Sequence, residues 1–107
     1  DETRWALDEL RRASLRVVAE TGREMATHDA SEWLHEIDVP TAVVCTERDR
    51  AVPARYQSEM AELIEECEIF SYDDGHLACI DPAFGDELAR ACDNVARRGK
   101  ARRKGRA

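Results

Sequence analysis

The sequence predicts an α/β fold in which helices flank part of a parallel sheet. Two short segments, residues 41–45 and 68–72, have the composition of strands, and a helical pattern separates them. A strand, helix, strand order favours a right-handed crossover and therefore parallel strands. The first segment is β-branched and apolar without alternation, which is typical of a strand covered on both faces.

Two helical segments precede the first strand. Residues 3–21 have apolar positions at intervals of three to four residues among many charges, which predicts an amphipathic helix ended by Gly22. Its apolar positions are Leu7, Leu10 and Val17. A short second helix is predicted after Asp29, because Asp-Ala-Ser-Glu is a capping-box pattern, and Pro40 excludes its continuation.

Two further helices follow the strands. The segment after the first strand has an apolar stripe of Tyr56, Met60, Leu63, Ile64 and Cys67. The last helix is expected to open with Asp81 as N-cap and Pro82 at the first helical position, where proline's missing N–H costs little. Its predicted inward residues are Phe84, Leu88, Cys92 and Val95.

The predicted sheet is incomplete. Two parallel strands are not stable alone, because they leave backbone groups and apolar surface uncovered. The chain has 107 residues and starts without methionine, so we expect a missing N-terminal half or a partner chain to supply the remaining strands. No segment approaches the roughly 18 apolar residues that a membrane-spanning helix needs, so no membrane span is expected.

Charge is distributed unevenly along the chain. The net charge is −7, yet residues 97–107 contain seven of the 16 basic residues and none of the 23 acidic ones. An acidic body repels phosphates, which argues against specific nucleic-acid binding. We therefore expect residues 98–107 to form a disordered, solubilising basic tail.

The four cysteines show no Cys-x-x-Cys pair, and each lies in or beside an apolar pattern: Cys45, Cys67, Cys79 and Cys92. This arrangement favours buried, unpaired thiols in a reducing compartment, and so a cytoplasmic protein. Neither the cysteines nor His28, His35 and His76 have the spacing of metal ligands. No metal or other cofactor is expected.

An acid and a base follow the two predicted strands. Asp49 lies four residues after Cys45, and His76 lies four residues after Tyr72. Loops at the carboxyl ends of parallel strands converge, so the two side chains are expected to meet within roughly 2.6 to 3.2 Å. A carboxylate there can accept the Nδ1–H of the histidine while Nε2 takes a proton from a nucleophile.

Other acids lie near this pair in the sequence. Glu47 is closer to the strand end and fits a solvated turn position, while Asp73 and Asp74 adjoin the histidine and fit a loop. Arg48 and Arg50 flank Asp49 and would lower its pKa if they packed against it.

These motifs together resemble the C-terminal part of the α/β-hydrolase fold superfamily. The similarity covers the Val-Pro-Thr strand from Val39, the turn with Asp49 and Pro53, the Gly75-His76 pair and the segment from Asp81 to Phe84. Thr46 departs from the glycine common in the family. The resemblance implies that residues 1–28 end a cap region and residues 29–97 belong to the hydrolase core.

The resemblance also implies a catalytic triad with Asp49 as acid and His76 as base. The family order is nucleophile, acid, base, and no Gly-x-Ser-x-Gly occurs in the chain, so the nucleophile is expected in the missing half. The implied activity is hydrolysis of ester or related acyl bonds in a small-molecule substrate. Acyl transfer, dehalogenation and epoxide opening use the same two positions and stay open.

A non-enzymatic alternative also remains. The chain would then be a remnant or an interaction module that binds a partner through the exposed sheet edge and reaches an anionic surface with the basic tail.

Overall fold

The computed structural model describes residues 2–106 and divides into two compact units, Asp1–Ala30 and Ser31–Ala107. Residues 1 and 107, which the predicted cap segment and basic tail include, lie outside the described range. The first unit is helical, and the second combines helices with a parallel sheet.

The first unit consists of helices α1, Glu2–Arg12, and α2, Leu15–Thr27. The prediction of one helix ended by Gly22 was wrong. The chain instead breaks at Ser14, whose backbone is extended with φ −67° and ψ 126°, a conformation typical of an N-cap residue. Gly22 lies inside α2, because an interior glycine costs a helix only about 1 kcal/mol relative to alanine.

The two helices of this unit are stabilised locally by charged pairs, and their apolar side chains remain largely exposed. Arg16 contacts Glu20 one turn away at 2.7 Å, as expected for an i, i+4 pair. A depression of about 370 Å³ is lined by Leu7, Leu10, Arg11, Ala13 and Leu15. Among residues 2–106, no helix combines the length and apolar character needed to cross a bilayer.

The second unit holds two parallel strands, β1 over Thr41–Thr46 and β2 over Cys67–Tyr72. They pair in register from Thr41 with Cys67 to Thr46 with Tyr72, which confirms the predicted parallel arrangement. Helix α3, Ala54–Glu62, connects them, and α4, Phe84–Arg106, follows. Single 3₁₀ turns occur at Leu34–Glu36 and Ala78–Ile80, the first in place of the predicted short helix.

The helix α3 segment buries only part of the predicted apolar stripe. Of the predicted positions, Ile64 just after the helix is buried and Cys67 is half-buried, whereas Tyr56, Met60 and Leu63 are exposed. Ala61, which was not in the predicted stripe, is buried, and Gln57 is half-buried. Within α3 itself, the buried side lies about one residue along from the apolar pattern, because alanine allows close approach to the sheet and Gln57 bonds to the end of β1. Large apolar side chains are left on the flank of the helix.

Helix α4 shows the same displacement. Ala91 is buried, while Leu88 and Cys92, both expected to face inward, are exposed. The inward face of α4 continues through Val95 and Arg98, so a charged side chain occupies a position that an apolar pattern would not assign to the core.

The predicted disordered tail is instead the last part of α4, which continues to Arg106. Arg98 donates to the backbone oxygens of Glu66 at 2.9 Å and Thr41 at 2.5 Å, and Arg102 donates to the backbone oxygen of Asp38. These guanidinium groups satisfy carbonyls near the start of both strands. The basic residues therefore have structural partners that composition alone does not reveal.

The expectation of buried cysteines was wrong for two of the four. Cys45 is buried and Cys67 is half-buried, but Cys79 and Cys92 are exposed, and none of the four forms a disulfide. Cys92 is exposed because the buried face of α4 passes through Ala91.

Replacing Arg98 tests the attachment of α4 to the sheet. Arg98→Ala removes two charge-assisted hydrogen bonds to backbone carbonyls, of which the one to Thr41 is partly buried, so we expect the free energy of unfolding to fall by about 1 to 3 kcal/mol. Urea unfolding followed by circular dichroism measures the change. The neighbouring Arg97 is exposed, and Arg97→Ala serves as the matched control with an expected change within about 0.5 kcal/mol. Equal effects of the two substitutions would contradict the structural role of Arg98.

Candidate active site

The turn that follows β1 holds the Asp49 carboxylate in place. Its Oδ1 accepts hydrogen bonds from the backbone N–H groups of Ala51 at 2.9 Å and Val52 at 2.8 Å. The Asp49 side chain is only 5% exposed. This is an Asx-type turn, in which a short carboxylate replaces a backbone acceptor and fixes its own orientation.

The second oxygen of the carboxylate is held by Thr46. The Thr46 hydroxyl donates to Asp49 Oδ2 at 2.9 Å. Gln57 on α3 in turn accepts from the Thr46 backbone N–H at 3.0 Å and donates to the carbonyl oxygen of Val52 at 2.7 Å. Thr46 stands where the family that the sequence resembles commonly has glycine, and it supplies a hydroxyl that glycine lacks.

His76 lies opposite this carboxylate. Its Nδ1 is 3.0 Å from Asp49 Oδ2, which confirms the predicted distance between the two side chains. Because an ionised carboxylate only accepts, Nδ1 carries the proton of this hydrogen bond. The His76 side chain is 57% exposed, so groups arriving from outside the described residues can reach the ring.

The pKa of Asp49 is lowered from 3.8 to about 2. The largest cause is the backbone hydrogen bond from Val52, which burial partly opposes, and the bonds from His76, Thr46 and Ala51 add to the effect. Hydrogen bonds rather than the flanking arginines explain the shift. The carboxylate is therefore ionised at neutral pH.

The other acids near the pair have different partners. Asp73 binds the Arg48 guanidinium at 2.8 Å, and Asp74 accepts the backbone N–H of Gly75 at 2.7 Å. Glu47 is exposed. Of the acids considered from the sequence, Asp49 is thus the one placed against the imidazole.

A second contact closes the loop that carries His76, and sequence reasoning missed it. Tyr72 at the end of β2 donates its hydroxyl to Asp81 Oδ2 at 2.6 Å, and its ring meets the Phe84 ring edge to face at 5.2 Å. The bond to Asp81 is the main cause that raises the pKa of Tyr72 to about 12. Asp81 also accepts the N–H of Ala83 at 3.0 Å, so it caps the turn before α4 rather than the helix itself.

Other features of the described residues lie apart from this pair. A groove of about 220 Å³ is lined by residues 38–40 and by Gly99, Arg102, Arg103 and Arg106, beside the start of β1 rather than its end. Residues 2–106 contain no group of three or more histidine, cysteine or acidic side chains arranged to hold a metal ion. The Asp49 and His76 pair is therefore the feature from which a chemical role can be argued.

Comparisons with models of known protein families, with curated proteins and with solved structures gave no match. The assignment of the site therefore depends on its geometry. Adjacent parallel strands place a carboxylate and an imidazole at the same edge of the sheet, in hydrogen-bond contact. A histidine oriented by an ionised carboxylate has the geometry that general-base chemistry requires.

The contribution of Thr46 can be measured directly. Thr46→Val removes the hydroxyl donor to Asp49, so we expect the pKa of Asp49 to rise from about 2 toward 3.8. A ¹³C NMR titration of the carboxyl carbon reports this value. Thr46→Ser keeps the hydroxyl and should leave the titration near that of the unaltered protein; a shift of the same size in both variants would argue against the hydroxyl as the cause.

The lowered pKa of Asp49 also predicts the stability of the protein in acid. A carboxylate that binds protons less readily when folded stabilises the fold above its unfolded pKa, and this stabilisation is lost as the pH falls from about 3.8 through about 2. Asp49→Asn removes this titration, so its stability should fall less steeply in that range. Urea unfolding between pH 6 and pH 2 provides the comparison. If the stability of both proteins fell with the same slope between pH 4 and pH 2, the lowered pKa of Asp49 would be refuted.

Proposed function

We propose that this chain supplies the acid and the base of a hydrolase of the α/β-hydrolase type that acts on ester or related acyl bonds. The observation that carries the proposal is the 3.0 Å contact between His76 Nδ1 and Asp49 Oδ2 at the carboxyl ends of two paired parallel strands. The similarity in sequence motifs supports the same class.

The proposed roles follow from the protonation states. Asp49 stays anionic because its pKa is about 2, so it fixes the His76 proton on Nδ1 and stabilises the imidazolium that forms later. With Nδ1 protonated, Nε2 of the neutral ring is the basic nitrogen. It accepts the proton of an attacking hydroxyl and returns it to the leaving group of the acyl substrate.

The nucleophile in this proposal comes from a polypeptide segment outside these residues. The sequence has no Gly-x-Ser-x-Gly, and in the family the nucleophile precedes the acid. Exposed apolar side chains on the second unit support the presence of a further packing partner, among them Tyr56, Met60, Leu63, Ile69 and Leu88. A small-molecule ester would bind between that partner and the exposed His76 ring.

The same exposed apolar side chains favour a second candidate, a non-catalytic module that binds another chain beside its two-stranded sheet. In that function the Asp49 and His76 contact would only stabilise the loops. The basic end of α4 offers fewer free cations for an anionic surface than the sequence indicated, because Arg98 and Arg102 already bond to backbone carbonyls within the unit.

Ester hydrolysis tests the first candidate. Short-chain nitrophenyl esters are offered to the 107-residue chain and to the longest polypeptide that its gene encodes, and we expect turnover only where a nucleophile is present. In an active polypeptide, His76→Ala and Asp49→Asn should each lower kcat roughly 10³- to 10⁴-fold, because the base is lost or its tautomer is wrong. A fluorophosphonate probe should label a serine in a manner that depends on His76.

His35→Ala provides the matched control for this experiment. His35 is an exposed histidine of the same unit outside the proposed site, so its replacement should leave turnover unchanged. Ester turnover that survives His76→Ala would rule out the proposed base. A polypeptide that binds a partner chain and neither hydrolyses these esters nor reacts with the probe would support the second candidate.

A further inference from the structure

We propose that Arg48 is a positioning residue that sets the distance between Asp49 and His76. It does so by holding the loop that carries His76, the base loop, against the turn that carries Asp49. The catalytic meaning of this role rests on the proposed function, whereas the contacts themselves belong to the fold. From the sequence, Arg48 was a candidate neighbour of the Asp49 carboxylate. Its guanidinium instead points across to the other loop, toward Asp73.

The Arg48 side chain forms a clamp, in which two of its nitrogens donate hydrogen bonds to Asp73. Nε donates to Asp73 Oδ1 at 2.8 Å, and Nη2 donates to the backbone oxygen of Asp73 at 2.7 Å. The Asp74 carboxylate lies 4.0 Å from the same Nη2. A planar guanidinium that binds a carboxylate and a carbonyl of one residue restricts both the distance and the angle of that residue.

The backbone extends this attachment beyond the ends of the strands. Glu47 N–H donates to the Tyr72 carbonyl at 2.9 Å, and Arg48 N–H donates to the Asp74 carbonyl at 3.0 Å. The hydrogen bonds between the two loops thus extend to Arg48, the residue before Asp49, and to Asp74, two residues before His76. Arg48 contributes both a backbone and a side-chain part of this junction.

The two members of the pair differ in how they are held. Asp49 is almost enclosed and fixed by hydrogen bonds from Thr46, Ala51 and Val52 within its own turn. His76 is more than half exposed, and its loop reaches that turn through Arg48. A displacement of the base loop would therefore alter the Asp49 to His76 distance while leaving the acid in place.

Arg48 is poorly suited to a role in global stability. Its side chain is 66% exposed and that of Asp73 is 84% exposed, and exposed ion pairs contribute little to folding. Geometry at a catalytic pair is more sensitive, since a misplacement of about 1 Å can cost 10²-fold in rate. Loss of the Arg48 clamp is thus expected to change the geometry of the Asp49 and His76 pair more than the stability of the fold.

The carboxyl titration of Asp49 tests the clamp without any turnover assay. The bond from His76 is one cause of the low pKa of Asp49, so a loosened base loop should raise that pKa above about 2, short of 3.8 because the turn bonds remain. The experiment uses the 107-residue chain with Arg48→Ala, Arg48→Lys and Asp73→Ala, each titrated by ¹³C NMR. All three variants should raise the pKa.

The opposite charges of Arg48 and Asp73 separate positioning from a simple field effect. Removing a cation raises a nearby carboxyl pKa, and removing an anion lowers it. If only the electric field mattered, Arg48→Ala and Asp73→Ala would shift Asp49 in opposite directions. A shift in the same direction identifies a shared mechanical contact, and Arg48→Lys shows the same loosening with the charge retained.

Arg50→Ala is the matched control, because Arg50 is an exposed arginine on the other side of Asp49. In ¹⁵N spectra, the His76 Nδ1–H signal characteristic of the hydrogen-bonded tautomer should weaken in Arg48→Ala and Asp73→Ala and persist in Arg50→Ala. Equal titration shifts for Arg48→Ala and Arg50→Ala, or a lowered pKa in Asp73→Ala, would overturn the proposal. If Arg48→Ala fails to fold by circular dichroism, Arg48→Lys and Asp73→Ala decide the result.

The outcomes for Arg48 and for the hydrolase are distinguishable. A shifted Asp49 titration together with absent ester turnover would keep the clamp and remove the proposed function. Unshifted titrations together with turnover that depends on His76 would keep the function and remove the clamp.

Discussion

The in-register pairing of β1 with β2 is the constraint on which the site depends. Thr46 lies opposite Tyr72, so both strands end at the same level of the sheet, and hydrogen bonds from Glu47 and Arg48 continue the pairing into the loops. Asp49 and His76 are separated by 27 positions in the chain, yet each lies three or four residues beyond this common end. A slip of the register by one residue would separate the carboxylate from the imidazole and turn the neighbouring strand positions to the opposite face.

The sequence was sufficient to predict the parallel strands and the meeting of Asp49 with His76, because both depend on topology. Strand composition, a helical crossover and similar offsets from the strand ends determine where the two loops converge. The supporting bonds from Thr46, Gln57 and Arg48 were not predicted. They require the rotation of α3 and the path of two turns, and a pattern of residue types does not contain this information.

The helices show where apolar periodicity is an incomplete guide. In α3 and α4 the alanines Ala61 and Ala91 are buried, and the longer apolar residues beside them are exposed. A small side chain brings the helix backbone close to the sheet, whereas a stripe drawn from hydrophobicity ranks alanine low. The basic end of α4 was assigned to a disordered tail for a related reason, since composition does not show that Arg98 finds carbonyl oxygens at the start of the strands.

The self-contained turn around Asp49 has a consequence for evolutionary change. The bonds from Thr46, Ala51 and Val52 serve folding whether or not any reaction takes place. His76 is exposed and has no comparable enclosure. In a lineage released from selection for chemistry, the histidine would drift first while the aspartate persisted. Retention of both residues across divergent descendants would be a signature of selection on the pair, whereas retention of the aspartate alone would record only the needs of the turn.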